Sequence, residues 1–448
     1  MKSRIFTAPL AVLLVFAGLL ATMYLGYAGN TEKNLHDFPI ALVNQDVGDV
    51  GPDGASRNVG AQVADALVAG IPSDKVDLRV LGLGPARAQL GSGEVYGAIV
   101  IPSDFTKRLS ILGASAVVPG DVERPIITLY TNPRVGPFTT GITQRIADRA
   151  LDQVNTTVGA TLGEQVRAAL PDRAAADMPG AARLVLADPV EVVTSPYRPM
   201  PDAAGEGLVA FFYALILLLA GFTGAMLIHT LTDSALGFTP TEYGPWFVHP
   251  PATGMSRFRT LLVKWAVAAV GAPILSGVFV GVATALDIPL GNGPLLWLYG
   301  TLAIFAVGCT ALSVLAAFGT AGLMVNLIVF VVLGLPSSAG TIPLEATPEW
   351  IAKMAAFEPM HQIYLAVRTI LFFDADWSAG LGQGLGMTLA GLLIGVALGV
   401  TATVGYDRWG WHRGAEAPRP PKSDTPEDSD TPDNAPNRRN RDELVAAT

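Results

Sequence analysis

Between Asp287 and Glu345 the chain runs for 57 residues, Ile288 to Leu344, without an Asp, Glu, Lys, Arg or His. As one helix at about 1.5 Å per residue it would reach roughly 85 Å, against a hydrocarbon core of about 30 Å. Such a run must cross a bilayer and return, turning near Phe318-Gly319-Thr320. It therefore supplies two predicted spans, Leu295–Phe318 and Ala321–Leu335. Four more apolar stretches lie outside it: Thr7–Gly29, Leu208–Leu231, Leu261–Leu286 and Gly384–Gly405. The pattern predicts six transmembrane helices.

Residues 30–206 follow another rhythm. Phe38–Val43 reads as a strand ending in Asn44-Gln45-Asp46, and Val59–Ile71 as a helix. Val76–Leu81, Tyr96–Ile101 and Pro125–Tyr130 read as further strands, with helical stretches at Pro85–Leu90 and Asp104–Leu112 between them. A long helix follows, with Ile142, Ile146, Val154, Val158, Leu162, Val166 and Leu170 at steps of four or eight. Strand and helix alternate as in an α/β domain, without revealing strand order. Pro189 to Pro201 is Pro-rich and reads as the link back to the membrane. Thr341–Phe373 is too broken by charge to span, and is expected to form short helices lying at, or dipping into, the outer face. From Gly414 onward the chain has almost no large apolar residue before Leu444, so residues 408–448 read as a disordered tail.

Charge then orients the spans. Lys2 and Arg4 precede the first, Arg257, Arg259 and Lys264 introduce the third, and Arg408 and Arg413 follow the sixth. The connection Pro336–Gln383 has two bases against five acids. Positive charge collects on the cytoplasmic side, so both termini are expected inside and residues 30–206 outside, in a multi-pass protein of the cell membrane. The first span reads as an uncleaved anchor, residues 1–29; a signal peptide cut after Gly26-Tyr27-Ala28 is the rival. A net charge of −9 speaks against a nucleic-acid partner. The single cysteine, Cys309, excludes an intrachain disulfide.

No Gly-x-x-x-x-Gly-Lys-Ser/Thr loop occurs, so the chain has no phosphate-binding loop of its own. Nor does it contain His-Glu-x-x-His or Gly-x-Ser-x-Gly, and neither enzyme activity, cofactor nor metal is expected. His229 and Asp233, four apart at a span end, read as interface residues rather than a metal pair. Asn326, inside the fifth span, faces either a substrate path or another helix. Glu358, His361 and Arg368 are candidates to line the same path, or belong to a structural lid. Gly391, Gly395 and Gly399 make a Gly-x-x-x-Gly-x-x-x-Gly face for close helix packing, within the subunit or across a homodimer seam. Gly277 and Gly281 repeat the spacing on the third span. In the loop Thr232–Thr260, Tyr243, Trp246 and Phe247, with Arg257 and Arg259, could dock a cytosolic partner, although interfacial aromatics also anchor helices.

Three passages carry a resemblance: Phe38-Pro-Ile-Ala-Leu-Val-Asn-Gln-Asp-Val-Gly48, Tyr96-Gly-Ala-Ile-Val-Ile-Pro-Ser-Asp-Phe105, and Ile342-Pro-Leu-Glu-Ala-Thr-Pro-Glu-Trp350 through Glu358-Pro-Met360 to Arg368. In order and spacing they resemble the YhgE/Pip (phage-infection-protein) group of the type-2 ABC exporter permease superfamily, and the related fungal nitrosoguanidine-resistance membrane proteins. The resemblance covers residues 1 to about 410. It implies a membrane permease-like subunit of an export system, commonly a dimer and sometimes served by a separate ATPase subunit. It carries over no catalytic residues. The alternative is a surface interaction or receptor protein held by its helices.

Overall fold

A computed structural model describes residues 2–50, 55–115, 123–169, 186–411 and 413. The side chains of residues 2–9, 115, 168 and 169 and of Tyr243 lie outside that description, as do Leu170 of the expected long helix and the expected tail from Gly414 onward.

The α/β domain is a five-stranded sheet in the order β4-β1-β5-β6-β7. Its strands are β1 (Phe38–Asn44), β4 (Val76–Val80), β5 (Gly97–Ile101), β6 (Ile126–Thr131) and β7 (Glu191–Pro196). β1 pairs in parallel with β4 and β5, β6 with β7, and only β5 and β6 run antiparallel. The two-residue strands β2 (Asp49–Val50) and β3 (Ser56–Arg57) form a separate small pair. Alternation along a strand sends Ile40, Leu42, Ile99 and Ile101 to one face, and Ala41, Val43, Ala98 and Val100 to the other. Helices α2 (Val59–Gly70), α4 (Phe105–Ser115) and α5 (Pro137–Ala169) cover the first face, and α3 (Leu83–Ser92) the second. That is why β1 is apolar on both sides.

The Asn44-Gln45-Asp46 turn has a structural explanation. The Asp46 carboxylate accepts N–H groups from Gly60 (3.0 Å) and Thr106 (3.1 Å), and it also bonds the Thr106 hydroxyl. It thus caps the starts of α2 and α4 at the carboxyl end of β1. A Cβ at Gly60 would lie 2.7 Å from the Asp46 Oδ2, which is why glycine stands there.

Among the described residues five helices are long and apolar enough to cross a membrane: α1 (Lys2–Ala28), α6 (Leu208–Ala235), α7 (Arg257–Ala285), α8 (Gly293–Phe318) and α12 (Gly382–Arg408). Six were expected. The segment in question is α9 (Ala321–Ser337), helical throughout but only 17 residues long, with a widened turn at Ile328–Leu333. Widening frees a carbonyl, and the Val331 oxygen accepts the Tyr24 hydroxyl at 3.1 Å.

Contacts set the helix directions. Leu217 and Gly221 of α6 meet Gly300 and Ile304 of α8, so these two run parallel. α12 runs with them, because Thr388, Gly395 and Tyr406 meet Tyr299, Thr310 and Ala317 in order. α7 runs the other way, with Ser276 against Trp297 and Leu261 against Gly399. α9 also returns, from Gly322 beside Val314 to Gly334 beside Glu358. α8 is the hub: 61% of its most apolar stretch is buried, against 22% in α7 and in α12.

The chain between α9 and α12 ties the two parts together. Ile342, Ala346 and Ile351 are buried in the core of the α/β domain. After the short helix α10 (Glu349–Ala355), helix α11 (Pro359–Phe372) is buried in the membrane core, among α6, α8 and α12. The short helices are as expected, but α11 does not lie on the lipid surface. It is enclosed by protein, where a non-spanning helix keeps its polar ends satisfied.

Candidate functional site

A polar seam runs where the α/β domain meets the helices. The Tyr96 hydroxyl of the sheet donates to Glu345 at 2.8 Å, and Tyr364 of α11 donates to the Val135 carbonyl at 3.0 Å. Arg134 donates to the Phe372 carbonyl at 2.7 Å, and the Arg368 guanidinium lies over the rings of Phe373 (5.2 Å) and Tyr364 (5.8 Å). Burial raises the Glu345 acid and holds the Tyr96 phenol well above its usual range. Glu345 Oε2, Arg368 Nε, Glu358 Oε1, Arg134 Nε and the Tyr213 hydroxyl are buried with no hydrogen-bond partner. Such atoms are rare in a packed core; among the described residues Thr140 Oγ1, Trp265 Nε1 and Asn326 Oδ1 share this state, and Arg134, Glu345 and Arg368 belong to the seam.

Glu358 and His361 sit at the start of α11. One Glu358 oxygen accepts the His361 backbone N–H at 3.1 Å, the capping arrangement that begins the helix. His361 Nδ1 lies 3.1 Å from the Ser338 carbonyl. Desolvation pushes the Glu358 acid up to about 8 from its ordinary 4.5, and pushes His361 down to about 4 from 6.5. Unfolded, Glu358 has lost its proton by pH 7; folded, it keeps it until about pH 8. Its contribution to stability is therefore full below the ordinary value and is lost as pH rises through 8. His361 acts with the opposite sign, below 6.5. In thermal melts the wild type should lose about 1–2 kcal/mol more between pH 7 and 9 than Glu358→Gln. Identical pH slopes in the two proteins would mean that Glu358 ionises freely.

Asn326 stands apart from this seam. It is buried on α9 and donates from Nδ2 to the Ala311 carbonyl of α8 at 3.0 Å, joining two helices. Glu358 caps α11, with His361 in its first turn and Arg368 ten positions on from Glu358, and Asn326 does not join them.

At the other end of the bundle Asp233 is the centre of a second cluster. Lys264 approaches one of its oxygens to 2.5 Å, Arg413 to 2.7 Å, and His229 the other oxygen to 3.4 Å. Asp233 and Lys264 are each 3% exposed or less. The spacing of His229 and Asp233 was visible in the sequence; their partners were not. The signal was Lys264 itself, a base inside the apolar stretch Leu261–Leu286, which in a membrane calls for a counter-charge.

Nearby, Asp407 accepts the N–H groups of Arg257 (2.9 Å) and Phe258 (3.0 Å) at the start of α7. Arg257 also donates to the Trp411 carbonyl at 2.6 Å and stacks on Tyr406, so it is held within the chain rather than offered to a partner. Arg259 is exposed. The loop before it contains an unexpected hairpin, β8 (Thr241–Tyr243) and β9 (Trp246–Val248), with Trp246 73% and Phe247 64% exposed. Tyr243 pairs with Trp246 through the backbone.

The glycine face divides. A Cβ at Gly395 would lie 2.8 Å from the Thr310 Cα, and one at Gly399 2.6 Å from the Ser313 hydroxyl. Both glycines let α12 approach α8 closely within the chain. Gly391 does not share this role, because a Cβ there meets nothing within 4 Å. Gly281 is equally open, and Gly277 meets only the Trp297 ring.

Long apolar helices in alternating directions, with an α/β domain set between the first and second, define a multi-pass membrane protein. The family described as a protein of unknown function (DUF3533) matches residues 10–397, most of the chain, and the chain belongs to that family. No curated protein matches it.

Proposed function

We propose that the chain is the permease-like subunit of an export system of the type-2 ABC transporter kind, in the cell membrane, with a separate ATPase as its partner. The observation that carries this reading is the exposed aromatic hairpin at the end of the bundle away from the α/β domain. Two large exposed apolar side chains on a short hairpin strand suit a protein partner. With α9 counted as a sixth, shorter crossing, both termini and the hairpin lie in the cytoplasm and the α/β domain outside. The basic residues that flank α1, α7 and α12 support this orientation. The seam of unpartnered polar atoms at the outer end is where cargo would enter or leave. A protein merely anchored by its helices would not need the α/β domain to share buried chain with the membrane core.

The test is affinity purification from detergent-solubilised membranes. Wild-type protein should bring down an ATPase with its own phosphate-binding loop, and Trp246→Ala with Phe247→Ala should cut its recovery by about tenfold or more at equal expression. Deletion after Gly414 should leave recovery unchanged. In a Cys309→Ala background, cysteine at Asp65 should react with an impermeant maleimide on intact cells, and cysteine at Glu242 should not. No ATPase with the wild type, or undiminished recovery with the double variant, would overturn the borrowed ATPase; labelling at Glu242 alone would reverse the orientation.

A further inference from the structure

A cleft of about 210 Å³ lies between α8, α9, α11 and α12. Ala306 and Val307 of α8, Phe330 on the widened turn of α9, Ile363 of α11, and Met387 and Ile394 of α12 form its walls. That is less room than the roughly 300–1,000 Å³ of a typical small-molecule site, and suits part of one slender chain. Two features say what it takes.

The first is that its polar lining is already satisfied. Thr310 donates to the Gly391 carbonyl, and Thr388 to the Gly384 carbonyl while also meeting the Tyr299 hydroxyl. Gln362 donates to the carbonyls of Ala355 and Ala356, and its oxygen accepts from Gln383. Their O–H and N–H donors are all committed within the protein, so an occupant is offered only spare lone pairs on these oxygens. A ligand with acceptors of its own would leave them unmet, whereas a hydrocarbon chain leaves none.

The second is the direction of the mouth. Ile394 lines the cleft and, with its neighbour Leu393, is 69% exposed halfway along a helix long enough to span. At that depth of a membrane protein the surroundings are acyl chains. Gly391 forms the open stretch of wall, which accounts for its separation from the packed pair Gly395 and Gly399. The widened turn that brings Phe330 to the cleft is an irregularity often found at functional positions.

We infer that this cleft is a binding site for one alkyl chain of a bilayer lipid, entering sideways from the membrane between α9 and α12. The inference rests on the membrane placement alone; it requires neither export nor an ATPase. An anionic or acceptor-rich metabolite would find no free donor among these polar side chains. Annular lipid, by contrast, would contact every exposed helix face alike.

The test uses purified full-length protein in nanodiscs containing a phosphatidylcholine with a diazirine on its acyl chain. After irradiation and digestion, cross-links should concentrate on peptides bearing Met387–Ile394, Ala306–Thr310 and Phe357–Ile363. Gly391→Leu should cut that labelling by at least about fivefold, because its side chain grows into the cleft and meets nothing else. Gly386→Leu, on the same helix and also in open space, does not line the cleft and should leave labelling unchanged. Should Gly391→Leu fail to give a monodisperse protein, Ala390→Phe blocks the same wall. Labelling spread evenly over the exposed faces of α7 and α12 would mean annular lipid only. That result, or cleft labelling undiminished by the blocking variants, would overturn the assignment.

Discussion

Gly395→Leu should leave little correctly assembled protein in detergent. The added side chain points at the Thr310 backbone, where a Cβ would already lie 2.8 Å from Cα, and main chain cannot step aside as a flexible side chain can. α8 is the hub, so displacing α12 from it also disturbs α11, which packs on both. Overpacking of this kind costs about 1–3 kcal/mol and more where backbone must move, and the upper end is expected here. Size-exclusion profiles and melting curves should show aggregation or a markedly lower transition. Ala397→Leu, two residues on and facing outward, should behave as wild type. Thr310→Ala in the Gly395→Leu background should restore only part of the loss, since the hydroxyl is removed and the Cα stays. Equal behaviour of Gly395→Leu and Ala397→Leu would show that the two helices tolerate separation.

Asp233→Ala should be comparably damaging for an electrostatic reason. It removes the carboxylate that faces Lys264 and Arg413, and leaves the Lys264 side chain, 4% exposed, without that counter-charge. Removing one member of a buried pair costs about 3–5 kcal/mol, because the charge left behind has lost its water as well as its partner. Asp233→Ala with Lys264→Met should recover most of that loss, although two contacts are then absent. The recovery is the informative quantity, and a double-mutant cycle on melting temperature measures it. A double variant no better than the single would place the cost in packing rather than in charge.

The chain's pattern announced most of its elements and few of its contacts. The four alternating strands and the helices between them stand where periodicity placed them, within a few residues, because each has its own apolar rhythm. β7 does not. It lies at the edge of the sheet, mostly exposed and flanked by prolines, so no alternation marks it. The hairpin β8–β9 escaped notice because three-residue strands carry no period; only Gly244-Pro245 hinted at a turn. Composition marks α9 as a sixth span, and its 17 residues put it at the short end of the length a crossing takes. Among the candidate site residues, Glu358, His361 and Arg368 share one helix, and so could be grouped from the sequence. Tyr96 and Glu345 are 249 positions apart, and nothing local in either stretch calls for the other.

The buried residues Ile342, Ala346 and Ile351 bear on how this protein can be taken apart. A soluble fragment cut at residues 30 and 206, where composition changes, would lack three apolar groups that close the core around Phe38, Val63 and Ile99. It would also lose Glu345, whose backbone carbonyl receives the His36 N–H at 2.8 Å. Such a fragment would bare a sticky groove and invite aggregation whatever the domain does in the cell. Residues 341–356, spliced back as a covalent appendage or supplied as a peptide, are the missing piece of any construction meant to study that domain in water.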